Sequence, residues 1–188
     1  MEDRPIQNTL HEDASNPRAE EQKEKGSFFT IFFITFLIAL FIRVFIAQPF
    51  VVNGASMEPT FETSEYLIVD ELSYRFREPL RGEVIIFKFP QDTSKFFIKR
   101  IVALPGETVE IRNNKITITH EDGSSITSED AYLTWPTSGS TKVTLADEEY
   151  FVLGDNRTVS SDSRQWGPVI EDLIVGRAFM RFLPITDL

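Results

Sequence analysis

Cysteine is absent from this chain of 188 residues. No thiol nucleophile, disulfide, thiolate zinc site or iron–sulfur cluster can therefore be built. Histidine is scarce, with His11 and His120 as the two copies. His120 stands beside Glu121 and Asp122 in a polar stretch and reads as a solvated loop residue. A serine–histidine–aspartate triad has little raw material here. Basic residues are in deficit as well. Nineteen Lys/Arg face 29 Asp/Glu, for a net charge of −10. Phosphate binding needs clustered Lys and Arg, so the balance argues against nucleic acid as a partner. No phosphate-cradling loop and no histidine-rich metal spacing occurs, so neither metal nor cofactor is expected. No serine is followed three residues later by lysine. That removes the penicillin-binding type of serine–lysine arrangement.

What is present begins with a polar tail. Residues 1–26 carry four Lys/Arg and seven Asp/Glu and read as disordered. Residues 27–47, SFFTIFFITFLIALFIRVFIA, are apolar at seventeen of twenty-one positions. As a helix the run extends about 31 Å, enough for a bilayer core of about 30 Å. A buried core helix is the alternative, but the rest of the chain is too small to surround a helix that is apolar on every side. A cleaved signal peptide is opposed by the long acidic tail, the long apolar run and the lack of a small-x-small site. The expectation is an uncleaved transmembrane anchor, with Arg43 snorkelling near one end. Arg18, Lys23 and Lys25 precede the run, and no Lys or Arg occurs between Arg43 and Arg75. The positive-inside rule then places the tail in the cytoplasm and residues 48–188 outside the cell membrane.

Beyond Pro49, short runs rich in Val, Ile, Phe and Tyr alternate with Gly, Pro, Asn and Asp. Strands are expected at 66–70, 83–89, 96–103, 107–112, 115–119, 141–145, 149–153 and 173–182, with a turn at Asn113–Asn114. This predicts a mainly β, antiparallel, barrel-like domain over 48–188. Residues 112–147, rich in polar residues from 120 onward, are expected to form a small inserted β subdomain.

Ser56, in VVNGASMEPT, sits in little bulk just past the apolar run. A serine nucleophile needs a nearby base. With histidine scarce, a neutral lysine is the substitute, and it must be desolvated to act near neutral pH. In FFIKRIVA, Lys99 shares a strand face with Phe97 and Ile101, while Ile98 and Arg100 point the other way. Lys88 is its rival, at a strand end close to a proline. Lys95 and Lys142 read as loop residues. The stretch YFVLGDNRTVSSDSRQWGP, residues 150–168, ends a strand in a dense polar loop. It reads either as a solvated turn or as a hydrogen-bonded scaffold that fixes side chains from elsewhere.

Four ordered stretches resemble one family, the bacterial type I signal peptidases, which are membrane-anchored serine endopeptidases with a Ser–Lys dyad. They are GASMEPT, RGEVIIF (81–87), FIKRIVALPGETVEI (97–111) and GDNRTVSSDSRQWGPV (154–169). The resemblance spans roughly residues 27–185. It implies Ser56 as nucleophile and Lys99 as neutral base. It implies that Ser160 hydrogen-bonds and orients the lysine amine. Asp162 is implied to hold Arg164 and Arg100 in an ion-pair cluster, and Met57 to pack beside the nucleophile. Secretory preproteins with small residues at the first and third positions before the cut are the implied substrates. An extended substrate is expected to pair near Val51–Asn53 and Phe96–Ile98, which makes Val51, Asn53, Phe97 and Ile98 substrate-binding residues. The lipid bilayer is the other expected partner.

Three positions depart from the family pattern. Gly54 replaces a common serine, leaving the oxyanion to the Ser56 N–H. Phe97 replaces a common tyrosine, which should make the lysine drier. Thr158 and Val159 replace the usual Asp-Asn. A self-cleaving protein of the repressor type resembles the same Ser–Lys fold, but carries a DNA-binding or dimerising segment where this chain has an anchor and an acidic tail. A catalytically inactive, membrane-anchored β module that binds preproteins or envelope partners is the reading that Gly54 keeps open.

Overall fold

The computed structural model of the chain describes residues 28–40, 47–128 and 137–182. The chain divides into two units, Met1–Ile42 and Arg43–Leu188. In the first, residues 28–40 form helix α1, and every one of them is exposed. No helix among the described residues is long and apolar enough to cross a membrane. Of the expected anchor, residues 27 and 41–46 lie outside the described residues, as does the whole of the expected disordered tail. Ala47, expected at the end of the anchor, instead opens a strand.

The second unit is built on antiparallel β-structure. Its strands are β1 (Ala47–Val51), β2 (Tyr66–Asp70), β3 (Val84–Phe89), β4 (Asp92–Ala103), β5 (Thr108–Arg112) and β6 (Lys115–Thr119). They continue as β7 (Ser125–Ser128), β8 (Thr141–Thr144), β9 (Glu149–Leu153), β10 (Val169–Ile170) and β11 (Ile174–Phe182). A short helix, α2 (Ser163–Trp166), precedes β10. Seven strands form one sheet in the order β1-β2-β11-β3-β4-β9-β10, and four form a second in the order β7-β6-β5-β8.

The strand sequences account for this division. In β6, Ile116 and Ile118 are buried while their neighbours are not, the alternation of a sheet with one covered face. Arg112 pairs with Lys115 across Asn113 and Asn114, both at positive φ, a two-residue hairpin that suits asparagine. In β9, Tyr150 to Leu153 are all buried, because the strand serves two cores. Phe151 and Leu153 pack with Val109, Ile111, Ile116 and Ile118 of the second sheet. Tyr150 and Val152 pack with Ile85, Phe87 and Ile101 on the other side. Each such fully buried aliphatic or phenyl side chain contributes about 1.5–3 kcal/mol.

Two features differ from the sequence expectation and shape the site. β4 starts at Asp92 rather than 96, so Lys95 lies in a strand and not in a loop. β4 pairs with β3 from Asp92 to Arg100 but with β9 only from Arg100 to Ala103. Its first half therefore has one edge that no strand among the described residues covers.

Candidate active site

The two strands that frame the site bring distant chain segments together. β1 leads into the segment that carries Ser56, and the middle of β4 carries Lys99. The Lys99 Nζ donates to Ser56 Oγ at 2.7 Å and to the Ile98 carbonyl at 2.9 Å. Lys99 is only 4% exposed. The Phe97 ring lies on the same strand face, with its centroid 5.5 Å from Nζ. Phe97 in turn stacks on Phe89 at 4.5 Å, and Trp166 lies edge-on to Phe89 at 5.8 Å. Burial among these groups pushes the Lys99 amine down to about 8, against an opposing pull from Asp162 and Asp155. The rival Lys88 is exposed.

Beside the pair lies a cleft of about 520 Å³. Its walls include Val51, Asn53, Gly54 and Ser56 on one side and Phe96 to Lys99 on the other. Val51 and Asn53 are exposed, Phe97 and Ile98 half-buried. Met57, in contrast, is fully buried and is absent from the cleft lining. Gly54 has a φ of +98°, and a Cβ there would meet nothing within 4 Å. Its backbone conformation, not lack of room, is what favours glycine.

The loop after β9 is a buried scaffold and not a solvated turn. Asp155, Asn156, Arg157, Ser160, Asp162 and Ser163 are all buried. The Asn156 N–H donates to the Ser56 carbonyl at 3.0 Å and so fixes the backbone of the serine. Asp162 accepts from Arg164 Nε and Nη2, both at 2.8 Å, and from the Gly154 N–H at 3.1 Å. The carboxylate therefore grips both ends of its own loop.

The carboxylate onto which Arg100 forks is Asp155, whereas the resemblance implied Asp162. Arg100 Nε donates to Oδ1 at 2.8 Å and Nη2 to Oδ2 at 2.6 Å. Thr60 Oγ1 also donates to Asp155 Oδ2, at 2.5 Å. Strand alternation explains the choice: Arg100 leaves β4 on the face opposite Lys99 and meets the carboxylate nearest that face. The implied bond between Ser160 and the lysine amine is not formed either. Ser160 Oγ is buried and makes no hydrogen bond, because Nζ is turned to Ser56 Oγ and the Ile98 carbonyl. Gly154 permits this crowding. A Cβ on it would stand 2.2 Å from Ser160 Oγ and 2.5 Å from the Ser56 carbonyl oxygen.

Asp155 and Asn156 are the supporting residues that sequence reasoning missed. A half-buried arginine next to the base lysine needs a carboxylate partner, but the loop offers two, and spacing alone does not choose between them. His120 is likewise no free loop residue. Its Nδ1 lies 2.7 Å from Glu107 Oε1, and Arg81 Nη2 reaches the same oxygen at 2.5 Å. Among the described residues no group of three His, Asp or Glu is placed to hold a metal ion.

A hydroxyl and a dry amine, meeting beside an open strand edge, are the parts of a serine hydrolase that acts on extended chains. The comparisons agree. Residues 25–183 match the family described as signal peptidase, peptidase S26. A probable signal peptidase I-2 from Synechocystis is 38% identical over 157 residues, covering 79% of this chain and 69% of that protein. A probable signal peptidase I-1 from the same organism is 37% identical, with 81% and 80% covered. A crystal structure of a signal peptidase I from Enterococcus faecalis V583 is 28% identical, with a TM-score of 0.45, covering 55% of this chain and 98% of that one. The chain belongs to the signal peptidase, peptidase S26, family.

Proposed function

We propose that this protein is a serine endopeptidase, a signal peptidase I that removes signal peptides from secretory preproteins, with Ser56 as nucleophile and Lys99 as general base. The observation that carries the assignment is the 2.7 Å contact between a buried amine and the serine hydroxyl. A neutral Nζ takes the Ser56 proton as Oγ attacks the scissile carbonyl. The Ser56 N–H stabilises the oxyanion. The lysine returns the proton to the leaving amine, and water releases the acyl-enzyme. Asp155 and Asp162 act as positioning residues, one through Arg100 and the Asn156 turn, the other through the loop backbone.

The substrate lies extended in the cleft between residues 51–53 and 96–98. The uncovered edge of β4 supports this, since a polypeptide can add there as a strand. Small side chains are preferred at the first and third positions before the cut. The predominance of exposed Phe, Ile and Leu along α1 supports a lipid-facing anchor, with the tail cytoplasmic and residues 48–188 on the far side of the cell membrane. The inactive-module alternative has no support in the site, where both reactive groups are in contact.

Purified full-length protein incubated with a preprotein tests the assignment. Wild type and Lys88→Ala should cleave, while Ser56→Ala and Lys99→Ala should not. Normal cleavage by Lys99→Ala would assign the base to another residue.

A further inference from the structure

The cleft carries an unexpected charge pattern. The chain has ten more acidic than basic residues, yet among the described residues no carboxylate lines the cleft. Its two ionisable lining residues are both lysines, Lys95 and Lys99. Lys99 is buried at the reaction centre, whereas the Lys95 side chain is 64% exposed. Lys95 is therefore the cation that an entering chain meets.

The placement of Lys95 along the cleft follows from the strand. It precedes Lys99 by four residues, at most about 14 Å along extended backbone. It lies on the free edge of β4, at the point where pairing with β3 shifts register between Lys88 and Phe89. Such a bulge re-aims side chains. The partner of Lys95 is Asp92, at 2.9 Å and itself 39% exposed. Asp92 is held by Ser94, whose hydroxyl and N–H donate to it at 2.6 and 3.2 Å. An exposed pair of this kind holds its lysine weakly. The carboxylate stays while the amine is free to swing into the cleft.

We propose that Lys95 selects the side chain of the fifth residue before the cut, favouring Asp or Glu and disfavouring Lys or Arg. This rests on the peptidase reading and on a substrate running along β4 with its first residue before the cut abreast of Lys99. Four steps back then reach Lys95. Alternate substrate residues share a face, so the fifth residue points as the first and third do, and the fourth points away.

Peptides of one sequence, carrying Glu, Gln or Lys at the fifth position before the cut, test this with the full-length protein. kcat/KM is measured at low salt for wild type, Lys95→Gln and Lys95→Glu. Wild type should prefer Glu over Lys by about two- to five-fold, as expected for a solvated ion pair. Lys95→Gln should flatten the ranking and Lys95→Glu should reverse it. Added salt should erase it in every form. An unchanged ranking in Lys95→Gln overturns the assignment. So does a ranking that appears with the same substitutions at the fourth position before or the fifth position after the cut. If none of the forms cleaves the Gln peptide, the peptidase reading itself fails, which is a different outcome from cleavage without charge ranking.

Discussion

Replacing Lys99 by methionine should destroy activity and stabilise the fold. A free lysine amine titrates near 10.5, whereas in this site it titrates at about 8. The gap corresponds to about 3 kcal/mol at about 1.4 kcal/mol per pH unit. The sign follows from proton binding. Between pH 8 and 10.5 the unfolded chain holds a proton on Lys99 that the folded chain has released. Stability therefore rises with pH across that window. Below pH 8 the amine is charged in both states, and the fold bears the full cost of burying it. Methionine has nearly the same length and no charge, and it leaves the Ser56 hydroxyl and the Ile98 carbonyl without the amine that donates to both. At pH 7, Lys99→Met should be more stable than wild type by about 1 kcal/mol, the burial cost of about 3 kcal/mol less about 1 kcal/mol for each of the two lost hydrogen bonds. Urea unfolding of both full-length proteins at pH 7, 8, 9 and 10.5 measures the difference directly. It should shrink above pH 8 and change sign near pH 9. A difference that stays constant from pH 7 to 10.5 would refute the claim that a dry lysine faces the serine. The same titration predicts that wild-type kcat/KM climbs about tenfold per pH unit below 8 and levels off above it.

Asp155→Asn removes the fork that neutralises Arg100, whose side chain is only 18% exposed. Urea denaturation should report a loss of about 3 kcal/mol, the cost of an uncompensated buried charge. Gly154→Ala forces the Ser56 carbonyl and Ser160 apart. It should cost about 1–3 kcal/mol in stability and, by displacing the nucleophile, about 100-fold in kcat for a shift near 1 Å. Glu107 is pushed up by burial, but Arg81, the Leu104 N–H and His120 together hold it below the usual carboxylate range. Its contribution is therefore present above pH 4.5 and lost as pH falls through its folded value. Glu107→Gln should flatten that acid limb of the unfolding curve, and an unaltered limb would place the acid sensitivity elsewhere.

Much of the site could be read in the residues. Lys99 stood out because strand alternation puts Phe97 and Ile101 on its own face, and local pattern was enough for that. The hairpin at Asn113–Asn114 was equally legible, since both residues tolerate positive φ. Sequence failed where tertiary pairing decides. β7, with the sequence SITS, has one apolar residue in four and exists because β6 offers it a partner edge. β1 is absent from the expected strands: Ala47 counts with the apolar run before it, and Gln48–Val51 is too short and mixed to show an alternation. The resemblance assigns Arg100 to Asp162, while its fork goes to Asp155, seven residues earlier in the same loop, and only the fold decides which carboxylate meets the fork. Lys95 reads as a loop residue in the sequence because the polar residues Asp92, Thr93 and Ser94 precede it. Asp92 does accept from the Ser94 N–H, but the strand runs on through them.

The half-covered β4 has a further consequence for timing. Its vacant side can be satisfied only by a stretch of chain whose peptide groups are not yet committed to one another. A protein that has already closed into its own globule has no such stretch to offer. On the substrate path proposed above, the enzyme would need no separate device to spare segments already paired within a folded protein.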